Sequence, residues 1–367
     1  MKGRNLVFGG TLAAVLAACT TMSMQYQYAQ QKGGEDESGP YEVVTSWPLP
    51  LHTDGWSWGS TAGVWADTPD RIFVFGRGEL EPAKGVPGAD GQPKRAPATS
   101  LKPRWEHVLM VFNRSGNLIE SWEQHNSKFV RPHRVTISPY DPEKNVWLVD
   151  DGAHQVFKFS GDGKQLLMVL GEKGKPGSDP YPFNRPTDVA FLPNGDFYVS
   201  DGYVNTRVAK FDKNGKFMFQ WGRPGTGPGE FNLVHSLAID ADKERVYVAD
   251  RTNSRIQIFD LNGNYIDEWK NIRSPYYVAM TKDGLVAVSD GMIQKILKFD
   301  LNGQLLYSWG TFGVLPGQLW GVHQLSVDSE GNLYTAEVFS GRPQKFRPRA
   351  GANPQQLLRQ TVHSLSR

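Results

Sequence analysis

The chain of 367 residues has a single cysteine, Cys19. An internal disulfide is therefore excluded, and so is a thiolate metal site or thiol nucleophile in the body of the protein. Charge imbalance is also missing. Removing Lys2 and Arg4 with the N-terminal segment discussed below takes the 40 basic residues to 38, against 38 acidic ones. A neutral body offers no electrostatic case for nucleic acid as a partner. Long hydrophobic runs are absent as well: the stretch Leu6–Ala18 is interrupted by Gly9, Gly10 and Thr11 and falls short of the ~20 apolar residues of a membrane-spanning helix. What the chain has in quantity is punctuation, with 39 glycines and 24 prolines, which suits many short strands separated by turns.

Residues 1–19 read as an export signal, in which Lys2 and Arg4 precede the apolar stretch and Leu16-Ala17-Ala18-Cys19 closes it. The tetrapeptide resembles a bacterial lipobox, which implies a lipid carried on Cys19. Thr20, where an aspartate would favour inner-membrane retention, favours the outer membrane. The expected location is thus the cell envelope, lipid-anchored and facing the periplasm. Residues 20–40, rich in Gln, Gly, Glu and Ser, read as a flexible tether.

From residue 41 to 350 the sequence repeats itself at a period of roughly 40–55 residues, the range of propeller blades. The clearest copies begin at Pro132, Pro186, Val234, Pro275 and Val322, and a degenerate one begins at TAGVWAD. Second strands (VWLVD, FYVSD, VYVAD, VAVSD, LYTAE) place Asp150, Asp201, Asp250, Asp290 and Glu337 in register. Turns of the type GDGK and LNGN separate third from fourth strands, and Trp122, Trp221, Trp269 and Trp309 mark the fourth. The last copy lacks an outer strand, while YEVVTSWP at 41–48 is an orphan strand with its own Trp47. An all-β, six-bladed propeller whose N-terminal strand closes the last blade accounts for both. A Pro/Gly-rich insertion from Leu80 to Pro103 interrupts the first copy, and residues 351–367 are left as a C-terminal tail.

Aligning the copies gives one column of Ala62, His133, Thr187, His235, Tyr276 and His323, with histidine in every second blade. The column lies at the start of the innermost strand, so the three imidazoles converge on the ring axis about 120° apart and leave a fourth position open. Zinc suits such a set best, although a histidine-only site also accepts copper, nickel or iron. Strand direction puts the loops after the second strands beside this column. They carry Arg77, Asp151, Tyr203 and Arg251, and two arginines across a metal-bearing mouth favour an anionic substrate, most simply a carboxylate. The in-register acids, with Arg207 and Arg255, read as structural turn residues.

The phrases DGYVNTRVAKF and DRTNSRIQIF are similar to NHL repeats. The longer segments FNRPTDVAFLPNGDFYVSDGYVNTRVAKF, GEFNLVHSLAID, RPHRVTIS and GVHQLSVDSEGNLYTAE resemble the catalytic core of the peptidyl-α-hydroxyglycine α-amidating lyases (peptidylamidoglycolate lyases), over roughly residues 57–346. That resemblance implies a zinc on His133, His235 and His323, Tyr203 as catalytic base, and Arg77 and Arg251 as active-site arginines. It implies cleavage of the C–N bond of a peptide or small molecule ending in α-hydroxyglycine, with its terminal carboxylate, to an amide and glyoxylate. It further implies a calcium held by the carbonyls of Val64 and Val135 and an aspartate directly after the third histidine. This chain has Gln324 there, which weakens the calcium site. The family's disulfides are missing too; Val204 stands where a cysteine follows the tyrosine. Two other readings are a non-catalytic NHL-type propeller acting as an envelope binding scaffold, and a lactonase-like propeller, which needs a calcium held by carboxylates and amides in place of the histidine column.

Overall fold

The structure, a computed structural model, describes residues 38–51, 57–80, 103–178 and 182–365. The export signal with Cys19, the tether up to residue 37 and the insertion from 81 to 102 lie outside the described residues.

Alternating apolar strands and Gly-containing turns fold each repeat into a four-stranded antiparallel meander. The innermost strands are Thr61–Thr68, Pro132–Ile137, Asp188–Phe191, Val234–Asp240, Pro275–Thr281 and Val322–Val327, one for each of blades 1 to 6. They line a central channel, and the later strands of each blade step outward in sequence order. Tyr41–Val43 pairs antiparallel with Arg342–Pro348 as the outermost strand of blade 6, joining the two ends of the ring as the orphan strand implied. Among the described residues the helical content is a short 3-10 segment, Glu123–Lys128.

The core lies between blades. Phe73 and Phe75 of blade 1, for example, share one buried cluster with Val135, Leu148 and Phe159 of blade 2. The recurrent tryptophans and turn glycines form a second, peripheral lock. A Cβ on Gly163 in blade 2 would lie 2.4 Å from the indole of Trp122 in blade 1. The same close approach joins Trp221 to Gly263, Trp269 to Gly303 and Trp309 to Gly39. These glycines also have positive φ, from 57° to 82°, so a side chain there is opposed by both backbone and neighbour. Where blade 2 has no outer tryptophan, Met168 and Leu170 fill the place beneath Gly215. The sequence signature of the repeat is thus the contact that sets one blade against the next.

The C-terminal segment, expected as a tail, is tied into the ring over its described part. Thr361–Val362 pairs antiparallel with the end of the inner strand of blade 5, and Ser364–Leu365 pairs parallel with that of blade 4. Ser364 Oγ accepts from the amide of Phe191 and Thr361 Oγ1 from that of Val327. His363 stacks on Trp65 and meets the Tyr277 hydroxyl at 3.1 Å. The segment therefore contacts the ends of inner strands around the ring, opposite the histidine column. Ending the chain at Arg359 exposes the apolar surface under Val362 and Leu365, at ~1.5–3 kcal/mol for each side chain. A fall in Tm of roughly 5–10 °C is the expected calorimetric result; an unchanged Tm would show that the segment adds nothing.

Candidate metal centre

The inner strands open with an irregularity that strand periodicity does not show. In blades 1, 2, 4, 5 and 6 the pairing with the second strand shifts register at the column residue, so that His133, His235 and His323 are each skipped by the ladder. Such a bulge breaks the alternation of side chains. Each histidine and the residue after it both become buried in the channel: His133 with Arg134, His235 with Ser236, His323 with Gln324.

The three imidazoles meet. Ring centroids are 4.9 Å apart for His133 and His235, 4.5 Å for His133 and His323, and 4.8 Å for His235 and His323. A ring nitrogen of each lies within 4.8 Å of the other two. Each Nδ1 is hydrogen-bonded to a main-chain carbonyl: His133 to Thr187 at 2.6 Å, His235 to Tyr276 at 2.6 Å and His323 to Ala62 at 2.8 Å. A carbonyl only accepts, so Nδ1 carries the proton and Nε2 keeps its lone pair. The three carbonyls come from the three non-histidine members of the column, so alternate blades supply ligands and the intervening blades orient them. Burial holds all three imidazoles well below their ordinary pKa, helped by one another and by Arg134, Arg77 and Arg251. They are accordingly neutral, the form a metal requires. These donors fit zinc and leave a coordination position free.

Tyr203 completes the cluster. Its hydroxyl lies 3.2 Å from His133 Nε2 and 3.1 Å from His235 Nε2. Its loop sits directly against blade 4, since a Cβ on the preceding Gly202 would come within 1.6 Å of the Val234 carbonyl oxygen. Arg77 and Arg251 both directly follow the second strands of their blades. The Arg77 Nε donates to the carbonyl of Pro132, the residue before His133, at 2.9 Å. The Arg251 guanidinium lies 5.5 Å from the Tyr203 ring centroid and 4.7 Å from that of Tyr276. The structural reading of Arg207 and Arg255 also holds: their Nε atoms bond Asp201 and Asp250, each at 2.9 Å.

Two arginines at this mouth were not read from the sequence as site residues. Arg185 lies with its guanidinium 4.3 Å from the Tyr203 ring centroid, and its Nε and Nη2 donate to Asp151 Oδ2 at 2.9 and 2.6 Å. Arg131 bonds the same oxygen at 2.9 Å and lies 5.7 Å from the same ring. Both occupy connections between blades, outside the repeated strands. The available signal was Asp151, in the column position of Arg77 and Arg251, where an acid beside a basic mouth calls for cationic partners.

Val64 and Val135, the two backbone positions implied for calcium, face Gln324. Its Nε2 donates to the Val135 carbonyl at 2.8 Å, and its Oε1 accepts from the Val64 amide at 3.2 Å. A second group of metal-type side chains, Glu79, Glu106 and His107, surrounds Arg104, whose Nε lies 2.8 Å from Glu79 and 3.1 Å from Glu106. The guanidinium already pairs with both carboxylates at the foot of the insertion.

Comparison with known proteins agrees with this fold. Residues 178–281 match the domain family DUF5128, described as a 6-bladed beta-propeller. Peptidyl-alpha-hydroxyglycine alpha-amidating lyase 1 of Drosophila melanogaster is 43% identical over 117 residues, 31% of this chain and 20% of that protein. Peptidylglycine alpha-amidating monooxygenase of Rattus norvegicus is 35% identical over 167 residues, 44% of this chain and 16% of that protein. The similarity thus spans a fifth or less of the length of these relatives. Among solved structures, a streptogramin B lyase superposes with a TM-score of 0.53 at 13% identity, covering 86% of this chain and 100% of the other, which speaks for the fold alone. The chain is a six-bladed β-propeller similar in sequence, through part of its ring, to the peptidyl-alpha-hydroxyglycine alpha-amidating lyases.

Proposed function

We propose that this protein is a metal-dependent lyase that cleaves the C–N bond of an N-acyl or peptidyl α-hydroxyglycine, giving an amide and glyoxylate. The observation that carries the reading is the Tyr203 hydroxyl within 3.2 Å of two of three converging, carbonyl-oriented histidines. The similarity to named amidating lyases supports a lyase-like activity. His133, His235 and His323 would hold zinc, which when bound supplies a Lewis acid for a substrate oxygen. Tyr203 takes the proton of the substrate hydroxyl, whose electron pair becomes the carbonyl of glyoxylate. The C–N bond breaks as that carbonyl forms, and the amide nitrogen takes up a proton. Arg77 and Arg251 hold the substrate carboxylate across the mouth. A scaffold without turnover has no use for this constellation. Lipid attachment at Cys19, in an envelope compartment facing the periplasm, belongs to the same proposal and rests on the Leu16–Cys19 sequence alone. Glyoxylate released from α-hydroxyhippurate, measured alongside bound metal, tests the reaction; metal without glyoxylate removes it.

Arg185 acts in this scheme through Tyr203. Anchored on Asp151, it covers one face of the phenol ring, and its carbonyl accepts from the Tyr203 amide at 3.4 Å. An Arg185→Met variant is expected to lose roughly 10- to 100-fold in kcat, since a small displacement of a catalytic group costs rate. KM and metal content should stay close to the native values, and Arg185→Lys should recover only part of the rate, lacking a planar face. A loss confined to KM would instead make Arg185 a carboxylate ligand.

A further inference from the structure

Directly beneath the histidines lies a second layer formed by the next residue of each inner strand: Gly63, Arg134, Asp188, Ser236, Tyr277 and Gln324. Arg134 has no solvent exposure, and its guanidinium reaches across the channel from blade 2. Nη1 donates to the His323 carbonyl at 2.6 Å, while Nη2 lies 3.3 Å from that of His235 and 3.5 Å from that of Tyr276. Nε is 3.4 Å from Asp188 Oδ2, and the head lies 4.8 Å from the Tyr277 ring centroid. One cation therefore collects main-chain oxygens from blades 4, 5 and 6 and a carboxylate from blade 3.

We infer that Arg134 is the inter-blade cation of this propeller, and that with Gln324 it replaces the calcium implied at Val64 and Val135, so that this chain neither binds nor needs calcium in its channel. Calcium takes six to eight oxygens at about 2.3–2.6 Å, and its affinity follows the negative charge of the set. Here the Val135 carbonyl already accepts from the Gln324 amide, and the ligand next to the third histidine is neutral. The nearby carboxylate is committed as well, since Asp188 Oδ2 also accepts from Ser236 Oγ at 2.6 Å. A divalent ion entering this layer would meet a fixed positive charge with its balancing anion already used. Three adjacent blades are instead joined by one amide, because Gln324 in blade 6 bonds Val64 in blade 1 and Val135 in blade 2. A planar guanidinium presents five donors in a fixed fork, against the three of a compact ammonium, and so spans carbonyls spread over three blades. The inference stands apart from the lyase reading, because it concerns only what ties the inner strands together.

The test is a thermal-shift titration of the native, metal-loaded protein with calcium, together with equilibrium dialysis against labelled calcium. No stoichiometric calcium and no rise in Tm at millimolar calcium are expected. One bound calcium per chain with a Tm raised by several degrees overturns the inference. Arg134→Met, which keeps the length but leaves Asp188 buried without its cation, is expected to lower Tm by roughly 5–10 °C or more. A Tm equal to the native value would equally overturn it. Should that variant be too unstable to purify, Arg134→Lys keeps the charge but not the fork, and an intermediate loss is expected. A native Tm in the lysine variant would show that the fork is not what joins the blades.

Discussion

Replacing His235 with alanine is expected to empty the metal centre and lower glyoxylate release from α-hydroxyhippurate by at least about three orders of magnitude. The native protein should carry about one zinc per chain by elemental analysis. The size of the loss follows from the construction of the site. Three Nε2 atoms, each on an imidazole oriented by a carbonyl of the next blade, would form the proposed ligand set among the described residues, and two imidazoles do not make a closed structural or catalytic zinc site. Circular dichroism should show the ring intact, because His235 is skipped by the main-chain strand ladder and its removal deletes one side-chain bond to blade 5, that to the Tyr276 carbonyl. Full metal content in the variant would mean that the ion is held elsewhere. A metal-free native protein would remove the centre and the reaction together.

Tyr203→Phe is expected to separate binding from chemistry. The variant should retain its zinc and a near-native KM while kcat falls by roughly 10²–10⁴, the range for a lost general base. The phenyl ring would still fill the space against His133 and His235, at ring distances of 5.4 and 5.6 Å, and would still carry the guanidinium of Arg185. Only the oxygen is lost. A kcat within about threefold of native would assign proton transfer to another group.

Most of the ring was legible in the sequence because it repeats. The strands, the in-register acids and the missing strand supplied by 41–48 all appear in the structure, as does the convergence of alternate histidines. Tyr203, Arg77 and Arg251 were placed by strand direction, and their geometry agrees. Features dictated by single residues were not legible. A strand pattern assigns neighbours to opposite faces, so Arg134 could not be read as a channel residue until the bulge at His133 was seen, whereas Gln324 was marked by the family resemblance alone. Arg131 and Arg185 sit in connections that no repeat constrains. Residues 361–365 carry too little pattern to predict that two short strands would dock on the ends of blades 4 and 5.

That docked segment covers the ends of inner strands on the side of the ring away from the histidines. In the proposed reaction substrate would enter, and both products would leave, at the Tyr203 end, past Arg77, Arg131, Arg185 and Arg251. Traffic would then be sequential, a new substrate reaching the histidines after the last product has gone. On that reading, the departing product that retains the carboxylate would have to detach from the same cations that recruited it. Turnover would then be governed as much by how firmly the rim holds a small anion as by the bond broken beside the histidines.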